Sequence, residues 1–303
     1  MSKMLNLTCP HLRTYDKYTK IVPATDYVRT LNHNMPELPY NITSETHNQL
    51  HNRQRKLLLS EIEFLVNNYD KYKDLDDVII VYIGAALGQH IHYLTKLFPN
   101  FQYHLYDKIK FYNKLHSNKK VTIFNRYFDN IDANRYNNQN VIMISDMRDI
   151  NIMTMESSND MIINDMNEQM SYYLTMKPIT ALLKFRLPWT DGETKYLDGT
   201  IYYNTWQGAH STETRLVPNG NICTYNNTKY ESQLFYFNTI IRRQYYEHDL
   251  SSEYYGNCYD CFTESMILTK YCNLMVACED DNIKKEIYKI RRAIDKALNR
   301  PLF

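Results

Sequence analysis

Residues 78–90 read VIIVYIGAALGQH, and few folds accommodate such a stretch. A run of apolar and aromatic residues meets Gly84; Ala85, Ala86 and Leu87 lead to Gly88, and helical spacing starts at Gln89. An unbroken apolar run of this kind reads as a strand buried on both faces, which belongs in a parallel sheet covered by helices. The same alternation continues along the chain. After the strand at 76–84 comes a helix at 89–98, then strands at 101–107, 120–128 and 140–149. A helix around 160–176 precedes a fifth strand at 179–189, and 199–206 and 213–220 supply further strands. This order predicts an α/β fold with a doubly wound, mostly parallel sheet.

The flanks differ in character. Residues 1–50 form an irregular arm in which Pro10, Pro23, Pro36 and Pro39 break any long helix, and residues 52–67 have helical apolar spacing. The main domain is expected over 51–278, a single domain with terminal extensions, followed by a basic tail over 279–303. Within that tail, KKEIYKIRRAIDKALNR (284–300) reads as a basic amphipathic helix: a solvated face, or a contact for nucleic acid or a partner.

Composition excludes more than it selects. The 303 residues carry a net charge of +1, so any nucleic-acid contact must come from local patches. No run approaches the roughly 18 apolar residues of a membrane span, and the start of the chain does not resemble a signal peptide. A soluble protein in a reducing compartment, with no membrane association, is the expectation. Asn6, Asn41 and Asn226 then head chance glycosylation triplets. The six cysteines are scattered. Cys258 and Cys261 form a C-x-x-C without a second ligand pair at metal spacing, Cys272 and Cys278 being poorly placed, so core or surface thiols are expected and no metal.

In a doubly wound sheet, ligands bind beyond the carboxyl ends of the strands, at the point where strand order reverses. Gly84 and Gly88 would let the backbone approach a ligand, with a helix N-terminus just beyond. Asp107 ends the next strand, 23 residues after Gly84, where a carboxylate can hold both ribose hydroxyls of an adenosine. That geometry suits NAD and S-adenosylmethionine alike, and a plain strand–loop–helix with incidental glycines is the simpler alternative. A dinucleotide requires a third glycine where this chain has Gln89, His90, Ile91 and His92. S-adenosylmethionine has no phosphates and tolerates them. Asp146, at the end of IMISD, would reach the same crevice; it could equally serve as a helix cap or surface turn.

ALLKFRLP places Lys184 inside an apolar strand. A buried ammonium costs several kcal/mol unless it is paired or deprotonated. Lys184 therefore either extends to the surface or works as a general base of depressed pKa. Glu213 could partner it, and Lys56 is a second cation. The ordered set Lys56, Asp146, Lys184, Glu213 suits methyl transfer to a hydroxyl: one neutral lysine accepts the proton, the other cation disfavours protonation of that base, and the carboxylates hold the geometry.

The blocks QRKLLLSEIEFL, IVYIGAALGQHIHYL, VTIFNRYFD, IMISDMRD, LLKFRLPWTD and STETRLV, in this order, resemble the poxvirus cap-specific mRNA nucleoside-2′-O-methyltransferases. In that family the same polypeptide is the small, processivity subunit of the viral poly(A) polymerase. The resemblance runs from about Arg53 to Leu274 and is poor in the arm and tail. It implies a Rossmann-like S-adenosylmethionine-dependent methyltransferase fold. It also implies transfer to the 2′-OH of the first transcribed nucleotide of N7-methyl-capped mRNA. Lys56, Asp146, Lys184 and Glu213 would be the catalytic tetrad, with Lys184 as base. Gln54, Tyr82, Gly84, Ala86, Gly88, His90, Asp107, Phe128 and Asp146 would line the cofactor pocket. Trp189, Asp191, His210 and Glu231 would hold the cap, and Tyr40 is a candidate for the remaining stacking ring. The chain departs from the family at Leu87, where a proline is usual, at Ile109, where an arginine is, and at His210, where a tyrosine is. Capped mRNA and a poly(A) polymerase catalytic subunit are the implied partners, and virion and host cytoplasm the implied location. A non-catalytic RNA-binding polymerase subunit on the same fold is the alternative.

Overall fold

The computed structural model describes residues 20–41, 52–147, 155–208, 210–250, 255–276 and 280–298, with side chains at 155–158 and 280–281 left aside. Most of the expected irregular arm, the end of the fourth predicted strand, Cys278 and the last five residues of the tail lie outside that set. Nine strands and seven α-helices run through the described residues in the order β1 (Ile21–Val22), α1 (Arg53–Asn67), β2 (Ile79–Ile83), α2 (Gln89–Leu97), β3 (Gln102–Tyr106), β4 (Val121–Phe124), α3 (Asn130–Tyr136), β5 (Val141–Ser145), α4 (Met155–Met176), β6 (Thr180–Phe185), β7 (Glu193–Tyr203), β8 (Thr214–Asn226), α5 (Asn227–Thr239), β9 (Tyr245–Tyr246), α6 (Tyr259–Tyr271) and α7 (Asp280–Leu298). They divide into two compact units. The first draws on Met1–Val66, Tyr203–Thr212 and Glu231–Phe303, the second on Asn67–Tyr202 and Glu213–Tyr230.

The second unit is built on a seven-stranded sheet of order β4-β3-β2-β5-β6-β8-β7. Pairing is parallel from β4 through β6, and β8 joins β6 antiparallel. The apolar runs explain this arrangement. Ile80, Val81, Tyr103, Leu105, Val141, Ile142, Met143, Ala181, Leu183 and Phe185 are essentially inaccessible to water. Each fully buried Val, Leu, Ile or Phe side chain contributes about 1.5–3 kcal/mol, enough to fix a strand that is covered on both faces. The chain leaves β2 outward to β3 and β4, then returns to pair β5 on the other side of β2. The carboxyl ends of β2 and β5 therefore flank the switch point, where doubly wound folds open a crevice.

The expected doubly wound α/β class is the one found, and element bounds differ in instructive places. β4 stops at Phe124 and β5 at Ser145, short of the predicted 128 and 149. α3 comes from a polar segment with no apolar periodicity. A capping box makes it: the Asp129 carboxylate accepts the Asp132 N–H at 2.9 Å, and Asp132 accepts the Asp129 N–H at 3.3 Å. Arg126 grips both Asp132 oxygens. The strand predicted at 199–206 is β7 at Glu193–Tyr203, while Trp206 lies beyond it, fully buried at φ 56°.

In the first unit, β1 pairs parallel with β9. The described part of the arm packs closely here: Tyr27 meets the rings of Tyr246, Tyr259 and Phe262 within 5.7 Å, and Arg29 grips Glu63 at 2.6 and 2.7 Å. A buried polar network ties the helices. Arg55 bonds both oxygens of Glu264 and reaches Asp295 at 2.6 Å, and Glu264 also accepts the Trp206 indole N–H at 2.8 Å. α7 turns Ile287, Ile290, Ile294 and Leu298 into this unit. The tail helix is thus solvated on one side only. No helix among the described residues is long and apolar enough to cross a membrane.

Candidate active site

At the carboxyl end of β2, Gly84 (φ 75°) starts the turn and Gly88 (φ 74°) is the N-cap of α2. A Cβ on Gly84 would lie 2.7 Å from the backbone of Met147, directly after Asp146. Only glycine lets the ends of β2 and β5 come this close. The Ala86–Leu87 peptide is cis, and Leu87 is well exposed. Asp107, just past β3, accepts the Ala86 N–H and the Ile109 N–H, each at 3.0 Å. A carboxylate has about four acceptor positions, so two remain for a ligand's hydroxyls. Asp107 therefore both builds the turn and keeps the capacity the ribose reading requires.

Other expected pocket residues have definite neighbours. Tyr82 and His90 are buried together, with Tyr82 Oη 3.3 Å from His90 Nε2. Phe128 is buried against Tyr106, Tyr136 and Tyr172. Gln54 and Lys56 are on α1 in the first unit, where Lys56 is buried.

Sheet register assembles the charged centre. Asp146 extends β5 by one residue, its N–H donating to Ile83 O at 2.9 Å. Lys184, on the adjacent β6, places Nζ 3.0 Å from Asp146 Oδ1, 3.3 Å from the Asp146 carbonyl and 3.7 Å from Glu213 Oε2. The four expected tetrad positions thus include three that meet within the second unit.

Sequence reasoning missed the fourth side chain of this cluster, Arg215. It is the β8 register partner of Lys184 and donates to Asp146 Oδ1 at 2.8 Å and to Glu213 Oε1 at 3.2 Å. Burial opposes its charge, but Asp146 and Glu213 outweigh that and hold the guanidinium above its ordinary value. The signal was present in TETRLV: residues two apart on a strand share a face, so Glu213 and Arg215 point the same way. Two cations and two carboxylates, all with side chains less than a fifth exposed, form a compact group at the switch point. Such a group can position a hydroxyl and take its proton.

The expected cap residues divide between the units. In the second, the Arg186 guanidinium covers one face of Trp189 at 3.6 Å, and the Trp189 N–H donates to Asn159 at 2.8 Å. Asp191 accepts from Thr228 Oγ1 at 2.9 Å. In the first, Tyr40 donates to the His210 carbonyl at 3.3 Å and packs on Phe235, while Glu231 is half-buried on α5. Cys258 caps α6, its sulfur accepting the Cys261 N–H, and both thiols are buried. Among the described residues no group of three or more His, Cys, Asp or Glu could hold a metal ion.

A family model described as "Poly A polymerase regulatory subunit" matches residues 25–300. The chain belongs to this family. It is 31% identical over 267 residues to the cap-specific mRNA (nucleoside-2′-O-)-methyltransferase of fowlpox virus strain NVSL, covering 81% of this chain and 84% of that one. To the protein of the same description from myxoma virus strain Lausanne it is 30% identical over 243 residues, 74% of this chain and 70% of the relative. A solved structure of bluetongue virus VP4, described as a multifunctional RNA-capping production-line, superposes with a TM-score of 0.41 at 15% identity, covering 72% of this chain and 40% of that one. As a poly(A) polymerase regulatory subunit with methyltransferase relatives, the chain is expected to use S-adenosylmethionine, and the turn between Gly84 and Gly88 with Asp107 beside it fits that group.

Proposed function

We propose that this chain transfers the methyl group of S-adenosylmethionine to the ribose 2′-OH of the first transcribed nucleotide of N7-methyl-capped mRNA. The observation that carries the reading is the group formed by Lys184, Asp146, Glu213 and Arg215 beside the glycine turn. When bound, S-adenosylmethionine supplies an electrophilic methyl group on a sulfonium. Lys184 Nζ accepts the 2′-hydroxyl proton, and must be neutral to do so. Arg215 stands across the strand pair from it and shares both carboxylates with it, so neither carboxylate is given over to Lys184 alone. Asp146 and Glu213 each bind both cations, which fixes the amine in one orientation. Asp107 would hold the ribose of the cofactor and Asp146 would lie toward its charged end. Tyr82, His90 and Phe128 support these elements from the core. The parts of Lys56 and Gln54 rest on the resemblance alone.

Methylated guanine is cationic and stacks on electron-rich rings. The resemblance assigns Trp189, Asp191, His210 and Glu231 to its recognition, with Tyr40 as a candidate. The family also supports a second role, as the regulatory partner of a poly(A) polymerase catalytic subunit. Incubation with N7-methyl-capped RNA and labelled S-adenosylmethionine tests the first role. Label on the penultimate ribose is expected; cofactor binding without transfer would leave only the polymerase-subunit role. Tail length with and without this chain tests that second role.

A further inference from the structure

The outer face of α7 is not used by the site described above. Residues 284–298 carry Lys284, Lys285, Lys289, Arg291, Arg292 and Lys296 against two carboxylates, Glu286 and Asp295, in a chain whose total charge is only +1. The fold then separates these charges. Asp295 turns inward to Arg55 at 2.6 Å, and Arg291 is buried with its guanidinium over the Tyr255 ring at 5.3 Å. Lys284, Lys285, Lys289, Arg292 and Lys296 stay exposed; among the described side chains of α7 Glu286 is the one carboxylate beside them, 3.2 Å from Lys289, and Asp280 and Asp281 precede the stripe in sequence. Lys285, Lys289, Arg292 and Lys296 fall at i, i+4, i+7 and i+11, which puts them within about 60° of one another around the helix. Along its axis they are separated by about 6, 4.5 and 6 Å. Lys285, Lys289 and Arg292 join Tyr288 around a shallow surface concavity of about 420 Å³.

We infer that this stripe binds the phosphate backbone of the RNA body, outside the methylated end. The inference rests on the proposed RNA substrate, and it names a surface that the chemistry of transfer does not require. A line of cations on a rigid helix suits a polymer with one anion per repeat. An aromatic side chain among cations is the pattern of single-strand grooves, where bases stack without sequence preference. A folded acidic protein would present carboxylates at irregular spacing and is matched less well.

Fluorescence anisotropy with an uncapped, mixed-sequence single-stranded RNA, without cofactor, tests this apart from methyl transfer. Each neutralised phosphate on a single strand contributes about 0.7 to the slope of log affinity against log salt. The triple variant Lys285→Gln, Lys289→Gln, Arg292→Gln should therefore lower that slope by about 2. Its charge-reversed counterpart should lose more affinity still. The control Lys119→Glu, Lys120→Glu changes exposed lysines of the second unit and should keep the wild-type slope. Unfolding midpoints of every variant accompany the titrations, and the neutral glutamine set carries the test if charge reversal disturbs folding. An unchanged slope in the glutamine variant, or an equal fall in the control, would overturn the inference. Displacement of the RNA by poly-L-glutamate as readily as by unlabelled RNA would reassign the stripe to an acidic polypeptide and overturn it too. Loss of methyl transfer in the wild-type protein would sink the proposed function while leaving the anisotropy result standing.

Discussion

Lys184 and Arg215 are direct partners across the antiparallel pair β6–β8. Like charges placed opposite each other destabilise a sheet. This pair is held because Asp146 Oδ1 contacts both cations, at 3.0 and 2.8 Å, and Glu213 contacts both at 3.7 and 3.2 Å. Two carboxylates thus balance two cations in one compact group.

Lys184→Met should abolish methyl transfer while changing S-adenosylhomocysteine affinity by no more than a few-fold. Lys184→Arg should fail equally, since a guanidinium cannot release its proton at working pH. Equal loss of transfer and cofactor affinity, read by single-turnover assays and calorimetry, would remove Lys184 from the role of base.

Arg215→Met leaves both carboxylates facing Lys184 without the competing cation. The amine is then held by an unbalanced pair of acids, and methyl transfer should fall by up to roughly 100-fold through misplacement of Lys184, with S-adenosylhomocysteine affinity changed no more than a few-fold. An unchanged single-turnover rate in a variant that melts lower would show that Arg215 serves packing alone.

Gly84→Ala places a methyl group 2.7 Å from the Met147 backbone, at a φ of 75°. Strain of this sort costs about 1–3 kcal/mol. The variant should melt lower, and saturating S-adenosylhomocysteine should raise its melting temperature by less than it does for the wild type. Thermal scans with and without that ligand measure both effects.

Trp189→Ala removes the ring that Arg186 already covers on one face. Stacking of a desolvated cation is worth about 1–2 kcal/mol, so KM for capped RNA should rise roughly 5- to 30-fold with kcat little changed. Trp189→Phe should recover most of the loss. A fall in kcat alone, in steady-state assays, would argue against cap stacking.

Burial acts to raise the Glu264 carboxyl pKa, but Arg55 overrides it, and the group is held below its ordinary value of 4.5. A depressed folded-state pKa gives stability that is complete above the unfolded value and lost as pH falls through the folded one. Urea unfolding should therefore show a steady loss of stability below about pH 4.5. Removing one partner of a buried pair costs about 3–5 kcal/mol, so Arg55→Met should be severely destabilised at pH 7. Glu264→Gln should flatten the acid dependence.

The strands were legible because a parallel sheet buries both faces, and VIIVYI and VIMIS have no other place to go. The placement of Gly84, Asp107 and Asp146 at the ends of β2, β3 and β5 was legible for a related reason, since each follows directly on an apolar run. Arg215 was harder, since its meaning depends on pairing between β6 and β8, and register is not written in either strand alone. α3 stayed hidden because Asp129 and Asp132 start it with side-chain hydrogen bonds rather than an apolar stripe. Arg186 illustrates the remaining gap: its stacking on Trp189 follows from how the chain turns after β6, which composition does not reveal.

The contact between Gly84 and Met147 has a mechanical consequence. The two strand ends run so close that a single added methyl group on one would meet the backbone of the other at 2.7 Å, which leaves room for no side chain at position 84. Asp146 lies on one side of that contact, and its carbonyl accepts from Lys184. On the proposed reading, the spacing between the cofactor turn and the amine is therefore set by the backbone of the sheet itself and not by flexible side chains.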